Sequence, residues 1–211
     1  MRVYLGLVAR RPRTPIAPTL LKAARELLRE AFPVPDDVIT RDEWASADGS
    51  VALLGWSNEP ASDLLPGILA GSPQRRSLGY CGYLTGQDDA ARVLGWESLA
   101  GADELGGVFS LFRAADDRLE AATSLARVCP VYYAQAPEVL VAGSRALLVH
   151  LVAQEAADDP GVRIDVPALV PLVHHGFLTT DATPFSGVRA LPAASVLVAR
   201  AGGHFSVAQA E

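Results

Sequence analysis

The stretch from Leu105 to Phe112 reads LGGVFSLF, a glycine pair followed by a short run of β-forming residues. This run predicts a strand over Val108–Phe112, and the composition of Leu119–Ser124 predicts a second strand. Asp116 and Asp117 stand between the two runs, where paired aspartates are typical of a hairpin turn. The centre of the chain is therefore predicted to be an antiparallel hairpin.

Short strand-like runs continue on both sides of this hairpin. Ala136 and Pro137 separate two of these runs and predict a second hairpin. Farther along, Val188–Leu191 and Val196–Arg200 are expected to form a last strand pair. The other predicted strands are Val3–Ala9, Val51–Trp56, Ser77–Leu84, Val131–Ala134 and Val139–Ala142.

Three segments carry apolar residues at helical spacing. The clearest covers residues 20–31, where leucines and alanines recur opposite a face of mixed charge. The other two are Arg145–Glu155 and Val166–His175. The order of a helix, a cluster of strands and then further helices favours a layered α+β domain over a doubly wound parallel sheet.

Length and composition exclude several classes of protein. The chain has 211 residues, of which 50% are hydrophobic and 20% charged, so it can bury the core of one domain and is not intrinsically disordered. Its net charge of −6 disfavours a general nucleic-acid binder. No apolar run approaches the roughly 18 residues that a membrane span needs, and the N-terminus does not resemble a signal peptide. We therefore expect a cytoplasmic protein without a membrane or nucleic-acid partner.

Motifs of the common catalytic and metal chemistries are missing from the sequence. It contains no glycine-rich phosphate loop and no HExxH, CxxC or GxSxG. His174 and His175 are adjacent and would point about 100° apart on a helix, which favours ordinary helix-end side chains over a pair of metal ligands. Cys81 and Cys129 fit small core residues better than nucleophiles, because no base is adjacent in sequence. No metal site is predicted.

Five segments resemble, in order, the motifs of class II glutamine amidotransferase domains such as those of asparagine synthetases. The resemblance implies an Ntn-hydrolase-like αββα sandwich, in which two antiparallel sheets stack between helical layers, with residues 1–211 as a single domain. The matching segments are Leu105–Phe112 (family pattern L-x-G-x-F-A), Cys129–Tyr133 (G-x-x-P-L-Y-Y), Leu140–Leu148 (F-A-S-E-x-K-A-L), Asp165–Phe177 (D-x-x-A-L-x-x-x-L-x-x-G-F) and Thr183–Pro192 (T-x-F-x-G-I-x-x-L-P-P-G).

The chemical positions of that family are changed in this chain. The family's glutaminase opens with Met-Cys-Gly and uses the cysteine as nucleophile, whereas this sequence opens with Met1-Arg2-Val3. The family's N-G-E turn, which binds glutamine, is reduced to a remnant at Cys81, Gly82 and Tyr83, with Cys81 in place of the asparagine that helps form the oxyanion hole. Thr123-Ser124 replaces the family's R-D. The resemblance therefore implies a degenerate glutamine site with no catalytic residue.

Relatives of asparagine synthetase that lack this cysteine indicate what such a domain could do. β-Lactam synthetases and lasso-peptide macrolactam cyclases resemble asparagine synthetases that need no ammonia, because their substrates supply the amine. The resemblance implies a non-hydrolytic domain of an ATP-dependent amide-bond-forming enzyme, with the macrolactam cyclase type favoured. The alternatives are a β-lactam synthetase-like domain acting on a small molecule, or a free-standing binding or regulatory module. An active Ntn hydrolase is disfavoured.

The synthetase half of that family carries an S-G-G-x-D-S loop that binds pyrophosphate, and this sequence lacks it. ATP and magnesium are therefore expected on a synthetase domain outside this sequence, in cis or in trans, and no cofactor is expected on this chain. Val170 and Phe177 are predicted to dock that domain, while Leu169, Leu172 and Val173 pack on the sheet. A precursor peptide and a second copy of the chain are the other partners considered.

Overall fold

The computed structural model describes residues 1–60, 67–72, 76–178 and 180–209, and within these ranges it contains twelve strands and four α-helices. Two short 3-10 helices, Asp36–Val38 and Leu99–Glu104, accompany them. The α-helices are α1 (Pro18–Ala31), α2 (Asp89–Gly95), α3 (Ala146–Glu155) and α4 (Val166–His175). The strands are β1 (Arg2–Ala9), β2 (Thr40–Ala45), β3 (Val51–Ser57), β4 (Ala70–Ser72), β5 (Arg76–Leu84), β6 (Gly107–Ala115), β7 (Arg118–Thr123), β8 (Tyr132–Gln135), β9 (Val139–Gly143), β10 (Val188–Ala190), β11 (Ser195–Arg200) and β12 (Phe205–Gln209).

The strands form two six-stranded sheets in which every neighbouring pair is antiparallel. The first sheet has the order β10-β8-β9-β1-β3-β2, and the second has the order β12-β11-β7-β6-β5-β4. Both predicted hairpins are present, β6 with β7 and β8 with β9. The mixed α+β class predicted from the order of elements is confirmed.

Side chains point alternately to the two faces of each sheet, and this alternation divides the hydrophobic core into three layers. On β1, Val3, Leu5 and Leu7 face α1 and α3, which cover the outside of the first sheet, while Tyr4 and Val8 face the second sheet. On the second sheet, residues of β6 and β7 fill the space between the sheets from the other side, and their alternate residues face α2 and the Leu99–Glu104 helix. The order of layers is therefore helix, sheet, sheet, helix.

The two sheets approach each other closely where β1 crosses the second sheet. A Cβ on Gly6 would lie 2.4 Å from Cδ2 of Leu119, which is completely buried on β7. Tyr4 stacks on Phe112 with ring centroids 5.6 Å apart. A side chain at position 6 would therefore push the sheets apart or displace Leu119.

The predicted pairing of Val188–Leu191 with Val196–Arg200 is wrong. β10 pairs with β8 in the first sheet, and β11 pairs with β7 and β12 in the second. The intervening segment includes Ala194 at φ 46° and carries the chain from one sheet to the other. Local pattern does not distinguish a hairpin from such a crossing, because both join two short apolar strands.

The packing predicted for α4 is also wrong. Leu169 and Leu172 are only partly buried, Val173 is 81% exposed, and no residue of this fully described helix is buried. Val170 and Phe177 are exposed as predicted, at 53% and 61%, whereas their docking role stays a prediction. No helix in the described ranges is long and apolar enough to cross a membrane.

Candidate functional site

A pocket of about 580 Å³ lies where β1 begins, at one end of the sandwich. Five segments that are distant in sequence meet there: the start of β1, residue 59 after β3, the end of β5, the loop before β8 and the segment that leads into α3. The lining residues are Met1, Arg2, Glu59, Tyr80, Cys81, Gly82, Tyr83, Leu84, Val128, Cys129, Pro130, Ser144 and Arg145.

Gly82 gives the pocket wall its shape. Its φ is +85°, and a Cβ at this position would lie 2.0 Å from the carbonyl oxygen of Val108 and 2.9 Å from Sγ of Cys129. Only glycine adopts this backbone conformation without strain and leaves room for both neighbours. All three residues predicted from the family's glutamine-binding turn, Cys81, Gly82 and Tyr83, line the pocket.

Both cysteines of the chain face this pocket, and both are free thiols. The Sγ of Cys81 donates to the carbonyl oxygen of Arg2 at 3.5 Å. Burial raises the pKa of Cys81 to about 11, against the smaller opposing effect of the neighbouring hydroxyls of Ser110 and Ser144. Burial also raises the pKa of Cys129. The thiolate is the reactive form of cysteine, so both side chains are poor nucleophiles near neutral pH.

Both carboxylate oxygens of Glu59, which lines the pocket, have cationic partners. Its Oε2 accepts a hydrogen bond from Nε of Arg2 at 2.9 Å, and its Oε1 lies 3.2 Å from the α-ammonium of Met1. Burial alone would raise the pKa of Glu59, but the hydrogen bonds from Arg2 and from the α-ammonium hold this pKa below its ordinary value. Arg2 also donates to the carbonyl of Gly67 at 3.0 Å. The carboxylate of Glu59 is therefore paired with two cations at the start of β1.

Unlike Glu59, the side chain of Arg145 has no ion-pair partner among the described residues. It directly precedes α3 and lines the pocket, yet no carboxylate of the described residues forms an ion pair with it. Its Nε is buried and has no hydrogen-bond partner among those residues, while its Nη2 contacts Sδ of Met1. Among the described residues, Arg145 thus has no compensating negative charge.

Other side chains singled out in the sequence lie elsewhere. The side chains of Thr123 and Ser124 form hydrogen bonds with backbone groups. Oγ1 of Thr123 donates to the carbonyl of Pro192, and Oγ of Ser124 accepts from the N–H of Phe109 at 3.3 Å. His174 and His175 are exposed at the end of α4. The described residues contain no group of three or more His, Cys, Asp or Glu side chains that could hold a metal ion.

Sequence reasoning missed Arg145 and Glu59 as pocket residues. Arg145 was included only as the start of a helix and as part of the motif segment Leu140–Leu148, and Glu59 belonged to no motif. Neither has a local signal, because their shared position depends on the register of β1 with β3 and β9. The only sequence feature that points to Arg145 is its position just before a helix whose first turn has no acidic residue.

Comparison with solved structures identifies the fold. A glutamine phosphoribosylpyrophosphate (PRPP) amidotransferase from B. subtilis, complexed with ADP and GMP, matches 99% of this chain at 9% identity with a TM-score of 0.57. A structure described as the allosteric regulatory enzyme of purine biosynthesis also matches 99% of the chain at 9% identity, with a TM-score of 0.58. The chain spans about half the length of both, 49% in each case.

No protein-family model and no curated protein sequence matches the chain. At 9% identity the structural matches define the fold alone: the chain has the Ntn-hydrolase-type fold of glutamine amidotransferases, with two antiparallel sheets between helices. The predicted αββα sandwich is therefore confirmed. The closer link to asparagine synthetases rests on the sequence motifs and stays a prediction.

Proposed function

We propose that this chain is a glutamine amidotransferase-like domain without glutaminase chemistry, serving an asparagine synthetase-like enzyme that forms amide bonds with ATP. One observation carries the proposal. The fold of glutamine amidotransferases is present and has a pocket at the start of its first strand, but the described residues that line this pocket offer no activated nucleophile.

Glutamine hydrolysis by covalent catalysis needs a nucleophile and a base to activate it. The family places the nucleophile at the start of the first strand, and β1, with the sequence RVYLGLVA, contains no cysteine, serine or threonine. The two thiols of the pocket are held protonated, and Glu59 is bound to Arg2. No histidine is among the described lining residues. The pocket is therefore suited to binding and not to hydrolysis.

A domain of this kind fits an enzyme whose substrate carries its own amine. This reasoning favours the macrolactam cyclase type, acting on a peptide, with a β-lactam synthetase-like enzyme acting on a small molecule as the alternative. A free-standing binding module is a second candidate, favoured by the open pocket of about 580 Å³. In the first two cases ATP and magnesium belong to the synthetase domain.

The synthetase domain would dock on the exposed apolar residues around α4. We call residues 162–177 the apolar segment, since six of its large hydrophobic side chains are at least 45% exposed. Large exposed apolar patches are typical of interaction sites. The six residues are Val162, Ile164, Val166, Val170, Val173 and Phe177.

Glutamate release from L-glutamine tests the central claim. We expect the wild-type chain, Cys81→Ser and Cys129→Ser all to stay at the uncatalysed rate, because neither thiol is activated. Release by the wild type that disappears in either variant would overturn the proposal.

A second measurement separates the synthetase-linked function from the free-standing module. A polypeptide with an S-G-G-x-D-S loop, encoded with this chain or beside it, should catalyse ATP–pyrophosphate exchange with a carboxylate substrate. We expect this exchange to rise when the chain is added and the chain alone to show none. A rate of ATP–pyrophosphate exchange that does not change when the chain is added would favour the free-standing module.

A further inference from the structure

We propose that the pocket binds a small organic anion, a carboxylate attached to an apolar group, with Arg145 as its counter-ion. The inference rests on the proposed function in one respect, since the pocket must bind its ligand without hydrolysing it. It goes further by naming the class of ligand.

The charges of the described lining residues do not cancel. Its described lining contains Arg2, Arg145 and the α-ammonium of Met1 against a single carboxylate, Glu59. Both oxygens of Glu59 are taken, by Arg2 at 2.9 Å and by the α-ammonium at 3.2 Å. Arg145 is left without a carboxylate among the described residues. A partly buried cation without a counter-ion is costly, so an anion that reaches it is stabilised.

The surroundings of Arg145 strengthen this preference. Its Nε is buried and has no hydrogen-bond partner in the described part of the chain, and the sulfur of Met1 provides no charge. Helix α3 begins at the next residue with no acidic side chain in its first turn, so the positive end of the helix adds to the local potential. Cys81 and Cys129 stay protonated and add no negative charge.

The rest of the wall defines the other half of the ligand. Tyr80, Tyr83, Leu84, Val128 and Pro130 present rings and aliphatic groups around the pocket. A volume of about 580 Å³ lies within the usual range for small-molecule sites. A carboxylate with an aromatic or aliphatic body would therefore contact both parts of the wall.

The same charges disfavour an amino acid. An α-ammonium group needs a carboxylate to receive it, and Glu59 is already bound to two cations. The described lining has no second acidic side chain. This pocket should therefore prefer a simple carboxylate to glutamine, although its fold is that of glutamine amidotransferases.

Titration calorimetry with matched probes tests the inference. Phenylacetate, phenylacetamide and phenethylamine share the ring but carry a negative, a neutral and a positive group, and L-glutamine is the amino-acid probe. We expect phenylacetate to bind at least tenfold more tightly than phenylacetamide and L-glutamine, and phenethylamine not to bind. Equal affinity for acid and amide, tighter binding of glutamine, or no binding of phenylacetate would each overturn the inference.

Variants of Arg145 test whether this residue supplies the positive charge that binds the carboxylate. Arg145→Gln should weaken phenylacetate at least tenfold and leave phenylacetamide unchanged, while Arg145→Lys should keep most of the affinity. Arg189→Gln is the matched control, because Arg189 is a surface arginine outside the pocket, paired with Asp181. An unchanged phenylacetate affinity in Arg145→Gln would overturn the assignment. If that variant does not fold, the comparison of the four probes on the wild type still tests whether the pocket prefers a carboxylate.

The failures of the two proposals are distinguishable. Conversion of L-glutamine to glutamate would overturn the proposed function. Absence of both turnover and anion binding would overturn only the inference about the ligand.

Discussion

At the scale of single residues, Gly82 is a position in the pocket wall that has no room for a side chain. The chain turns there with φ +85°, directly between Cys81, whose thiol reaches the carbonyl of Arg2, and Tyr83, which is 59% exposed. The carbonyl of Val108 and the thiol of Cys129 occupy the space where a side chain would be. Glycine at this position is therefore a steric requirement of the fold.

We predict that Gly82→Ala lowers the free energy of unfolding by about 1–3 kcal/mol, since the methyl group overlaps a backbone oxygen and the positive φ is strained. Urea unfolding of both proteins measures the difference. Gly101→Ala is the control, because a Cβ at Gly101 meets nothing within 4 Å and its φ is −87°. Equal stability of Gly82→Ala and wild type would show that the turn can relax.

A second residue, His150 on α3, bonds Arg163 at the start of the apolar segment and Ser186 beyond its end. The N–H of Arg163 donates to its Nε2 at 2.8 Å, so this nitrogen is unprotonated, and its Nδ1 lies 3.1 Å from the carbonyl of Ser186 and donates to it. The ring is completely buried and stacks on Phe185. Burial lowers the pKa of His150, assisted by the charge of Arg163. The neutral ring is the form that the fold requires.

Because the pKa of His150 is lower in the folded than in the unfolded chain, the unfolded chain takes up the proton first as the pH falls. Stability from this residue is therefore complete above about pH 6.5 and is lost as the pH falls below that value. We expect urea unfolding between pH 8 and pH 5 to show a smaller acid loss in His150→Gln than in wild type. His174→Gln, at an exposed site, should follow the wild type. Parallel wild-type and His150→Gln curves would contradict this role.

At the scale of elements, α4 is unlike the other helices. Helices α1 and α3 each bury side chains against the first sheet, whereas α4 buries none of its residues. The side chain of Asp165 accepts from the N–H of Ala168 at 3.2 Å, and Gly176 ends the helix in the left-handed conformation. Local capping defines where this helix begins and ends, and these bounds agree with the predicted Val166–His175, while its apolar side chains stay exposed.

We predict that the double variant Val170→Asp, Phe177→Asp keeps the free energy of unfolding within about 0.5 kcal/mol of the wild type, because both side chains are exposed. The same variant should lose at least tenfold in affinity for a synthetase domain, or should reduce self-association of the isolated chain. Thermal unfolding and sedimentation velocity measure the two effects. Val149→Asp, at a fully buried position of α3, is the contrasting control and should unfold the chain. Unchanged association of the double variant would exclude this docking surface.

At the scale of the whole molecule, the distance between the two sheets is decided by small residues that face large ones. Gly6 on β1 faces Leu119 on β7, and Gly79 on β5 faces the ring of Tyr4. Such pairs allow the sheets to pack closely while each large side chain fills the space that the glycine leaves. The pocket forms at the end of this sandwich, so its width depends on the same spacing.

We predict that Gly6→Val and Leu119→Ala each destabilise the fold, by about 1–3 kcal/mol for the added side chain and about 2–5 kcal/mol for the removed one. In the double variant the valine occupies part of the cavity, so the loss should be at least about 0.5 kcal/mol smaller than the sum. Urea unfolding of the four proteins gives the coupling energy. Strict additivity would mean that the two positions do not share this space.

Sequence alone was sufficient wherever neighbouring residues decide the structure. The hairpin around Asp116 and Asp117, the amphipathic α1 and the capped α4 all depend on turns, caps and periodicity within a few residues. It was not sufficient at sheet edges. Strands β2, β4 and β12 were missed, because a polar or very short edge strand carries little apolar alternation.

Only the tertiary structure decided where the strands pair and what the pocket contains. The sequence placed Cys81, Gly82 and Tyr83 together by their resemblance to a known turn, but it gave no reason to bring Arg145 beside them. That meeting depends on the antiparallel register of β1 with β9, which places Leu5 opposite Gly143, two residues before Arg145. Local propensity acts over a few residues, whereas register arises from packing across the whole sandwich. The order of predicted elements could therefore indicate a layered α+β domain, but it could not predict the charge of the pocket.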